Sequence, residues 1–333
     1  MSEPQAGPYY QPVDSVTQQG ARPGGRGRVE EIPEERVRSY YDRPVLKEPV
    51  WTWEVPWYLF AGELAGASAA LSFAARLAGN DRLARSALLI ALGGVTASPV
   101  LLIMDLGRPE RFYNMLRVFK PTSPMSVGTW ILTGFGTSTR AAAASDILGV
   151  YPRTGRLMEG ISALLGPALS TYTAVLIAGT PVPVWHGARR ELPFVFAASS
   201  TASAGSAAAI LTPVEESGPA RRLAVGGAIA ELVLTEVMKR RLGRLLAEPY
   251  EKEEAGRYEK IARVLTGAGA ALMGFAGRKG RLAAVSGGAL VLAGAATERW
   301  AVFKAGFQSA RDPKYTVVPQ RERLESREGS RVR

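Results

Sequence analysis

The run ARSALLIALGGVTASPVLLIM, residues 84–104, decides the fold. Its only charged side chain is Arg85, near the start of the run. A helix rises about 1.5 Å per residue, so about 20 apolar residues cross the roughly 30 Å hydrocarbon core of a bilayer. The run therefore predicts a membrane-spanning helix.

Runs of the same kind recur along the chain. They occupy residues 55–77, 127–149, 160–180, 193–211, 221–239, 260–277 and 281–303. The run at 221–239 contains two acids, and the last two runs are short and rich in glycine. Small residues at helical spacing, such as Gly62 and Gly66, indicate close helix packing. We predict an all-α polytopic membrane protein whose eight transmembrane helices form two four-helix groups.

The two ends of the chain differ from this middle part. Residues 1–50 hold no apolar run and are rich in Gly, Pro, Gln, Arg and Glu, so they bury too little surface to order themselves. They also lack the apolar stretch of a secretory signal. We expect a disordered polar N-terminal tail over 1–50, a transmembrane domain over 51–305 and a similar polar C-terminal tail over 306–333.

The cysteine and histidine counts limit the cofactors. With no Cys, the chain can form no disulfide, no thiolate metal site and no Cys-ligated iron–sulfur cluster. With one His, it cannot supply both axial ligands of a bis-His haem, and a His/Met haem is rare. We expect no metal site, no haem and no iron–sulfur cluster in this chain.

The net charge of +11 has a membrane explanation. Lys and Arg lie beside the ends of the apolar runs, where they flank spanning helices, so we expect a lipid bilayer rather than nucleic acid as the partner. With eight spans both tails share one side, and that side carries more Lys and Arg near the helix ends. The positive-inside rule then predicts a multi-pass cell-membrane protein with both termini in the cytoplasm.

Three patches carry a family resemblance. They are WTWEVPWYLFAGELAGASAAL from residue 51, DLGRPERFYNML followed by PTSPMSVGTW within residues 105–130, and TPVPVWHGARRELPFVFAASSTASAG over 180–205. In this order they resemble the first helix, the second loop with the third helix, and the fourth loop with the fifth helix of the NrfD/PsrC family. The C-terminal third is similar only in its hydropathy.

The resemblance implies a polysulfide reductase-like membrane subunit of a respiratory oxidoreductase. It implies a quinone or quinol site at the membrane surface, close to a partner iron–sulfur subunit, with menaquinone or ubiquinone as the quinone. It also implies a separate catalytic subunit that is a molybdenum or tungsten enzyme. The chain would then act within the complex and have no catalysis of its own.

A quinone head group needs hydrogen-bond partners, an aromatic or apolar slot and access for protons. Such side chains collect at the tail-side ends of the first three spans: Glu54, Trp57, Tyr58, Asp105, Arg108, Ser126 and Trp130. We take these residues as the candidate quinone mouth. Each has a structural alternative, because Trp often forms the interface belt, Asp105 can pair with Arg108, and Ser123 or Ser126 can cap a helix.

Two acids lie deeper in the predicted spans. Glu63 is ten residues past Trp53 and Glu231 is nine past Arg222, which places both near the bilayer midplane. A charged acid there costs roughly 2.5–3.5 kcal/mol on insertion scales, so each needs a proton or a partner. We predict that Glu63 and Glu231 handle protons. The alternative is that protonated acids only tie helices together by hydrogen bonds.

These observations favour a membrane anchor that exchanges electrons between an iron–sulfur partner and the quinone pool, with proton uptake or release. Two alternatives stay open, a proton-coupled membrane transporter and an inert anchor subunit. Solute uptake by the chain alone in proteoliposomes would favour the transporter. Unchanged quinone reduction with Ala at Glu54, Tyr58 and Asp105 would favour the inert anchor.

Overall fold

The computed structural model describes residues 45–277 and 280–331, with side chains described as far as residue 324. Within these residues the chain is all-helical and has no strand, which confirms that the protein is all-α. The α-helices are α1 (Glu54–Leu77), α2 (Asp81–Met104), α3 (Pro124–Leu148), α4 (Pro152–Ala178), α5 (Pro183–Gly187), α6 (Leu192–Leu211), α7 (Gly218–Ala247), α8 (Glu253–Phe275), α9 (Arg281–Arg311) and α10 (Lys314–Arg331). Two 3-10 helices, Pro109–Leu116 and Glu248–Tyr250, lie in the connections.

Local sequence signals explain where several helices begin and end. The Asn80 side chain accepts a hydrogen bond from the Leu83 N–H at 3.0 Å and caps α2. Ser123 accepts from the Ser126 N–H at 3.5 Å at the start of α3, where the sequence TSP predicted a cap. Gly149 ends α3 in the left-handed region at φ +67°, a conformation that favours glycine.

The long helices pack in two groups of four. Helices α1–α4 pack on one another, and α6–α9 pack on one another. Contacts of α6 with α1 and α4, and of α9 with α1, join the groups. Glycines allow the closest approaches, since a methyl group at Gly66 of α1 would overlap the Gly166 carbonyl of α4. Gly269 of α8 meets Gly287 of α9 in the same way, as small-residue packing predicts.

The connections alternate between the two ends of this bundle. At the end where α1 begins, Trp51 stacks on Trp185 of α5 with ring centroids 5.7 Å apart. At the other end, Arg82 at the start of α2 pairs with Glu216 between α6 and α7 at 3.0 Å. We call these the tail end and the opposite end.

Each of the eight predicted spans falls on one long helix, and four of these helices are longer than predicted. Helices α4 and α8 begin eight and seven residues earlier, and α7 and α9 end eight residues later. Within the described residues, α1, α2, α4 and α6 are long and apolar enough to cross a membrane by length and composition. The total of eight crossings stays a prediction. Helix α7 is interrupted near its tail end at Gly243, where the backbone has φ 72° and ψ 175°.

The structure describes the two polar tails to different extents. Most of the predicted N-terminal tail, residues 1–44, lies outside the described residues. So do Arg278 and Lys279, two of the basic residues near the helix ends on the side opposite the tails. The C-terminal stretch was expected to be too polar to order itself, yet α10 covers Lys314–Arg331. Its first turn is held by the rest of the protein, because Tyr315 is buried and Lys314 pairs with Glu248 at 3.2 Å.

Candidate functional site

Four charged side chains meet in the middle of the bundle. Glu63 belongs to α1, Glu231 to α7, and Glu298 and Arg299 to α9. Each lies at least nine residues from either end of its helix, which is about 13 Å or more along the axis. All four are buried, with at most 5% of their surface exposed. We call this group the central cluster.

Arg299 organises the central cluster. Its Nε and Nη2 atoms donate to Glu63 Oε2 at 2.8 and 2.6 Å, and its Nη1 atom pairs with Glu298. The guanidinium also lies over the Phe196 ring of α6, 3.8 Å from the ring centroid. A planar guanidinium that is always charged can serve carboxylates and an aromatic face together, so one side chain joins α9 to α1 and α6.

Glu63 has partners on both carboxyl oxygens. While Arg299 donates to Oε2, the Thr173 hydroxyl of α4 donates to Oε1 at 2.9 Å. The Ser170 hydroxyl donates to the main-chain oxygen of Glu63 at 3.1 Å. The sequence predicted that this acid needs a proton or a partner, and the structure gives its carboxyl group two partners, Arg299 and Thr173.

Glu231 is less well partnered. It lies within electrostatic range of Arg299, but its Oε2 atom is buried and has no hydrogen-bond partner among the described residues. The Ser199 hydroxyl lies near it, yet the two groups do not meet in hydrogen-bond geometry. Three carboxyl groups therefore share one guanidinium. Because an ionised carboxylate is costly to bury unpaired, the cluster can hold a proton, and Glu231 has the free oxygen for it.

Thr52 links two of the predicted mouth residues, Glu54 and Asp105. The main-chain N–H of Thr52 donates to Asp105 Oδ1 at 3.1 Å, and its hydroxyl lies within hydrogen-bond distance of both Asp105 Oδ1 and Glu54 Oε2. One hydroxyl has one proton to donate, so it serves one carboxyl group at a time. Burial raises the pKa of Asp105, the bonds from Thr52 lower it in part, and the charge of Glu54 raises it again.

Tyr58 lies one helical turn below Glu54 on α1. It is buried, and it lies within electrostatic range of Tyr172 of α4 and of Glu63. Glu54, Tyr58 and Glu63 are therefore buried polar groups at increasing depth along one helix. Glu54 and Tyr58 share one face of α1, whereas Glu63, nine residues past Glu54, lies on the opposite face.

The remaining predicted mouth residues do not take part in the contacts of Glu54, Tyr58 and Asp105. Trp57 and Trp130 are exposed, at 40% and 42% of their surface. Arg108 is exposed as well and forms no ion pair with Asp105. Ser126 accepts a hydrogen bond from the Lys120 N–H at 2.9 Å, so it fastens the loop between α2 and α3.

The sequence analysis missed Arg299 and Glu298. Both fall inside the run 281–303, and charged side chains within a predicted span are rare and usually functional. That signal was present in the sequence but was not used in the prediction. Thr52 and Thr173 had no such signal, because their importance depends on partners distant in the chain.

A second charged group lies where α1–α4 meet at the opposite end. Arg76 pairs with Glu159 at 2.6 Å and with Asp146 at 3.2 Å, and Arg85 pairs with Asp146 at 3.3 Å. The Ser72 hydroxyl donates to Glu159 at 2.5 Å. A cavity of about 230 Å³ adjoins Arg76, Asp146 and Glu159. We call Arg76, Arg85, Asp146 and Glu159 the opposite-end cluster.

A larger cavity of about 470 Å³ lies at the tail end, between the start of α1, the start of α8 and the end of α9. Its lining includes Trp51, Trp300, Phe303, Lys304 and Gln308. We call it the aromatic cavity. Within residues 45–277 and 280–331, no group of three or more His, Cys, Asp and Glu side chains is arranged to hold a metal ion.

A family model described as polysulphide reductase, NrfD, matches residues 44–309. The chain belongs to the NrfD family. NrfD proteins are membrane subunits of respiratory oxidoreductases, they interact with quinones, and they assemble with iron–sulfur and catalytic subunits. The match covers α1–α8 and most of α9, so it includes the C-terminal third, where the resemblance rested on hydropathy alone. No curated protein sequence matches the chain.

Proposed function

We propose that this NrfD chain is the quinone-reactive membrane subunit of a respiratory oxidoreductase, exchanging electrons between an iron–sulfur partner and the quinone pool with proton uptake or release. The observation that carries the proposal is the central cluster, where two buried carboxyl groups pair with one guanidinium and a third, that of Glu231, lies within its electrostatic range. Buried ionisable groups inside spanning helices are costly and mark proton or substrate pathways. In a family of oxidoreductase membrane subunits, proton exchange is the reaction such a cluster serves best.

Within this cluster we assign proton exchange to Glu63 and Glu231, with different parts. Glu63 is held by Arg299 and Thr173, so its part is to hold the arginine in place within electrostatic range of Glu231. Glu231 has the unpartnered oxygen, so it holds the proton that comes and goes.

The predicted mouth suits a quinone head group in two respects. Asp105 and Glu54 supply hydrogen-bonding carboxyl groups at the tail end, and Tyr58 lies one turn deeper on α1, within electrostatic range of Glu63. A bound quinone would supply two-electron, two-proton redox chemistry there. The protein's part is to orient the ring through Asp105 and Glu54 and to pass protons along α1. Trp57, Arg108, Ser126 and Trp130 stay in the proposal as residues of the mouth's outer rim.

The proposed topology has eight crossings in the cell membrane with both termini in the cytoplasm. Eight long helices in two antiparallel groups and connections that alternate between two ends support it. So does the excess of Lys and Arg on the tail side. The iron–sulfur subunit would dock on this side, and a molybdenum or tungsten subunit would complete the complex.

The loop between α2 and α3 is the proposed docking surface. Phe112, Tyr113, Val118 and Phe119 are 44% to 67% exposed there, among basic side chains. Exposed apolar groups of this kind, rimmed by charge, are typical of protein interfaces. Docking at this loop places an iron–sulfur cluster of the partner close to the mouth.

Cysteine labelling tests this arrangement, because the chain has no native Cys. We expect Val118→Cys to react with a membrane-impermeant thiol reagent from the cytoplasm and the matched opposite-end variant, Val150→Cys, to react from the other side. The purified iron–sulfur subunit should then protect position 118 and leave position 150 reactive. Reaction of both positions from one side would refute the topology. Continued labelling of position 118 in the complex would refute the docking surface.

A further inference from the structure

A groove between α7 and α8 opens at the opposite end of the bundle. Its volume is about 630 Å³, within the range of roughly 300–1,000 Å³ that ligand sites occupy. The first three turns of α7 and the last turn of α8 form its walls, which include Arg221, Arg222, Val225, Gly226, Ile229 and Met273. We call it the basic groove. Its lining shares no residue with the mouth, the central cluster or the opposite-end cluster.

Two guanidinium groups lie together at the open end of the basic groove. Arg221 Nη2 and Arg222 Nη1 lie 3.9 and 3.7 Å from the point that a methyl group at Gly218 would occupy. Arg221 is held in place, because its Nη1 atom donates to the Val214 carbonyl and to the Ser217 hydroxyl, both at 2.8 Å. Among the residues that the structure describes in the lining, none is acidic. Neighbouring guanidinium groups of this kind suit a phosphate, which arginine binds through paired hydrogen bonds.

Beyond the arginines the wall of the basic groove is apolar. Val225 and Ile229 are four residues apart on one face of α7, and Ile229 is 55% exposed. Two glycines keep the space open: a methyl group at Gly226 would meet no atom within 4 Å, and one at Gly274 of α8 would meet only Val225, at 3.9 Å. Ile229 is seven residues past the second arginine, about 10 Å along the helix. An apolar strip of this length suits a hydrocarbon chain.

We propose that the basic groove binds one anionic phospholipid, with its phosphate on Arg221 and Arg222 and an acyl chain along Val225 and Ile229. The order of the groups carries the inference, because the charge lies at the helix end and the apolar wall lies deeper, as in a phospholipid. A soluble phosphate would use only the arginines, and a protein helix would use only the apolar wall. The inference rests on the proposed function in one respect, since that topology places α7 and α8 across the membrane. It goes beyond that function, because this lipid takes no part in electron transfer.

The test is native mass spectrometry of the purified full-length chain in detergent, titrated with phosphatidylglycerol and with phosphatidylcholine of the same acyl chains. Phosphatidylglycerol should bind more tightly. Arg222→Gln should weaken its binding about fivefold, as expected for one arginine near an anionic lipid surface, and leave phosphatidylcholine unaffected. Arg156→Gln is the matched control, because Arg156 is exposed and is the fifth residue of α4 as Arg222 is of α7. Acids line the cavity beside Arg156, so this variant should bind both lipids as the unaltered chain does.

A second variant tests the acyl-chain part of the site without changing any charge. Gly226→Leu fills the open space of the basic groove and should remove most of the bound phosphatidylglycerol. Gly93→Leu on α2 is its control, since a methyl group at Gly93 also meets no atom within 4 Å. Glycerol 3-phosphate, the head group without chains, should not displace the lipid at equal concentration. The unfolding temperature of each variant shows that the fold is intact.

Three results would overturn the lipid site. Equal binding of the two lipids would remove the role of head-group charge, and equal losses from Arg222→Gln and Arg156→Gln would show only a general effect of basic helix ends. Displacement by glycerol 3-phosphate would show an anion site instead of a lipid site.

Ile229→Cys separates this inference from the topology on which it rests. If α7 crosses the membrane, this cysteine should stay unreactive toward a membrane-impermeant thiol reagent in vesicles. Reaction there would refute the crossing by α7 together with the lipid site. An unreactive cysteine combined with equal binding of the two lipids would refute the lipid site alone. Lipid binding is measured without a quinone, so failure of quinone reactivity would leave it unchanged.

Discussion

The central cluster and the opposite-end cluster are both built from arginine and carboxylate side chains, but they differ in charge balance. At the opposite end Arg76 and Arg85 face two largely buried acids, Glu159 and Asp146, and each of these acids contacts an arginine. Arg76 also pairs with Asp81 at 3.6 Å, but that side chain is 81% exposed, so water screens its charge. In the centre one arginine faces three acids, and Glu231 keeps an oxygen without a partner. The opposite-end arginines are also partly exposed, whereas Arg299 is 1% exposed.

The difference indicates different uses of buried charge. A balanced set of pairs needs no further charge and fastens helices together, which fits the opposite-end cluster at the junction of α1–α4. An unbalanced set is complete only with a bound proton, which can leave when the local charge changes. Buried ion pairs are weak evidence for stability by themselves, so the excess of acids is the informative feature.

The largest effect should follow from removing the central arginine. Arg299→Met leaves Glu63 and Glu298 buried without their partner, and breaking a buried pair in this way costs about 3–5 kcal/mol. We expect a large fall in the apparent unfolding temperature of the purified subunit. Arg76→Met is the matched change at the opposite end and should cost less, because a cavity adjoins Glu159 and admits water.

A double variant checks the cause of that loss. Adding Glu63→Gln to Arg299→Met removes the unpaired carboxylate and keeps its shape, so part of the lost stability should return. If Glu63→Gln deepens the loss, or if Arg76→Met costs as much as Arg299→Met, then charge balance does not distinguish the two clusters.

A smaller effect should come from loosening the contact between α1 and α4, which lies between the two clusters. Gly66 of α1 meets Gly166 of α4, between Glu63 on one side and Ser72 on the other. Gly66→Ala forces α1 and α4 apart, and overpacking of this kind costs about 1–3 kcal/mol. Thermal unfolding in detergent measures it.

Gly93→Ala on α2 is the matched control, because a methyl group there meets no atom within 4 Å. It should be neutral or slightly stabilising, since alanine favours helix over glycine. Equal losses from both substitutions would mean that the α1–α4 contact is not the sensitive one.

The smallest effect concerns Asp105, an acid outside the spans with no arginine partner. Burial raises its pKa, so folding holds its proton more tightly than the unfolded chain does. Stability should therefore fall as the pH rises from the ordinary pKa of aspartate through the raised one, and level off above it. Asp105→Asn should flatten this dependence. Thr52→Val removes a hydroxyl that favours the ionised form of Asp105, so it should make the fall in stability with pH steeper. Unfolding temperatures measured across the pH range test both expectations.

The sequence was sufficient to predict the eight helices and the depth of the two central acids. Hydropathy and helical rise depend on neighbouring residues only, so they locate Glu63 and Glu231 without a fold. The partners of these acids could not be predicted in the same way. Arg299 meets Glu63 because α9 packs against α1, and that contact joins residues far apart in the chain.

For the same reason, the structure brings only some of the predicted mouth residues together. Glu54 and Asp105 come together because the link through Thr52 closes the start of α1 onto the end of α2. Trp57 and Trp130 have the right residue type at the right depth, yet their orientation depends on helix rotation, which hydropathy does not determine. The aromatic cavity was missed because α8 and α9 contribute to it from the last third of the chain.

The most direct measurement compares Glu231→Gln with Glu159→Gln in the assembled complex. Quinone-coupled turnover and proton uptake would be followed together, with the apparent unfolding temperature of each variant as the folding check. Losing a proton-transfer group costs about 10²–10⁴-fold in rate, so we predict at least a hundredfold loss for Glu231→Gln with the fold intact. Glu159→Gln should lower stability and keep turnover near that of the unaltered complex. Turnover and proton uptake unchanged in Glu231→Gln would contradict the account.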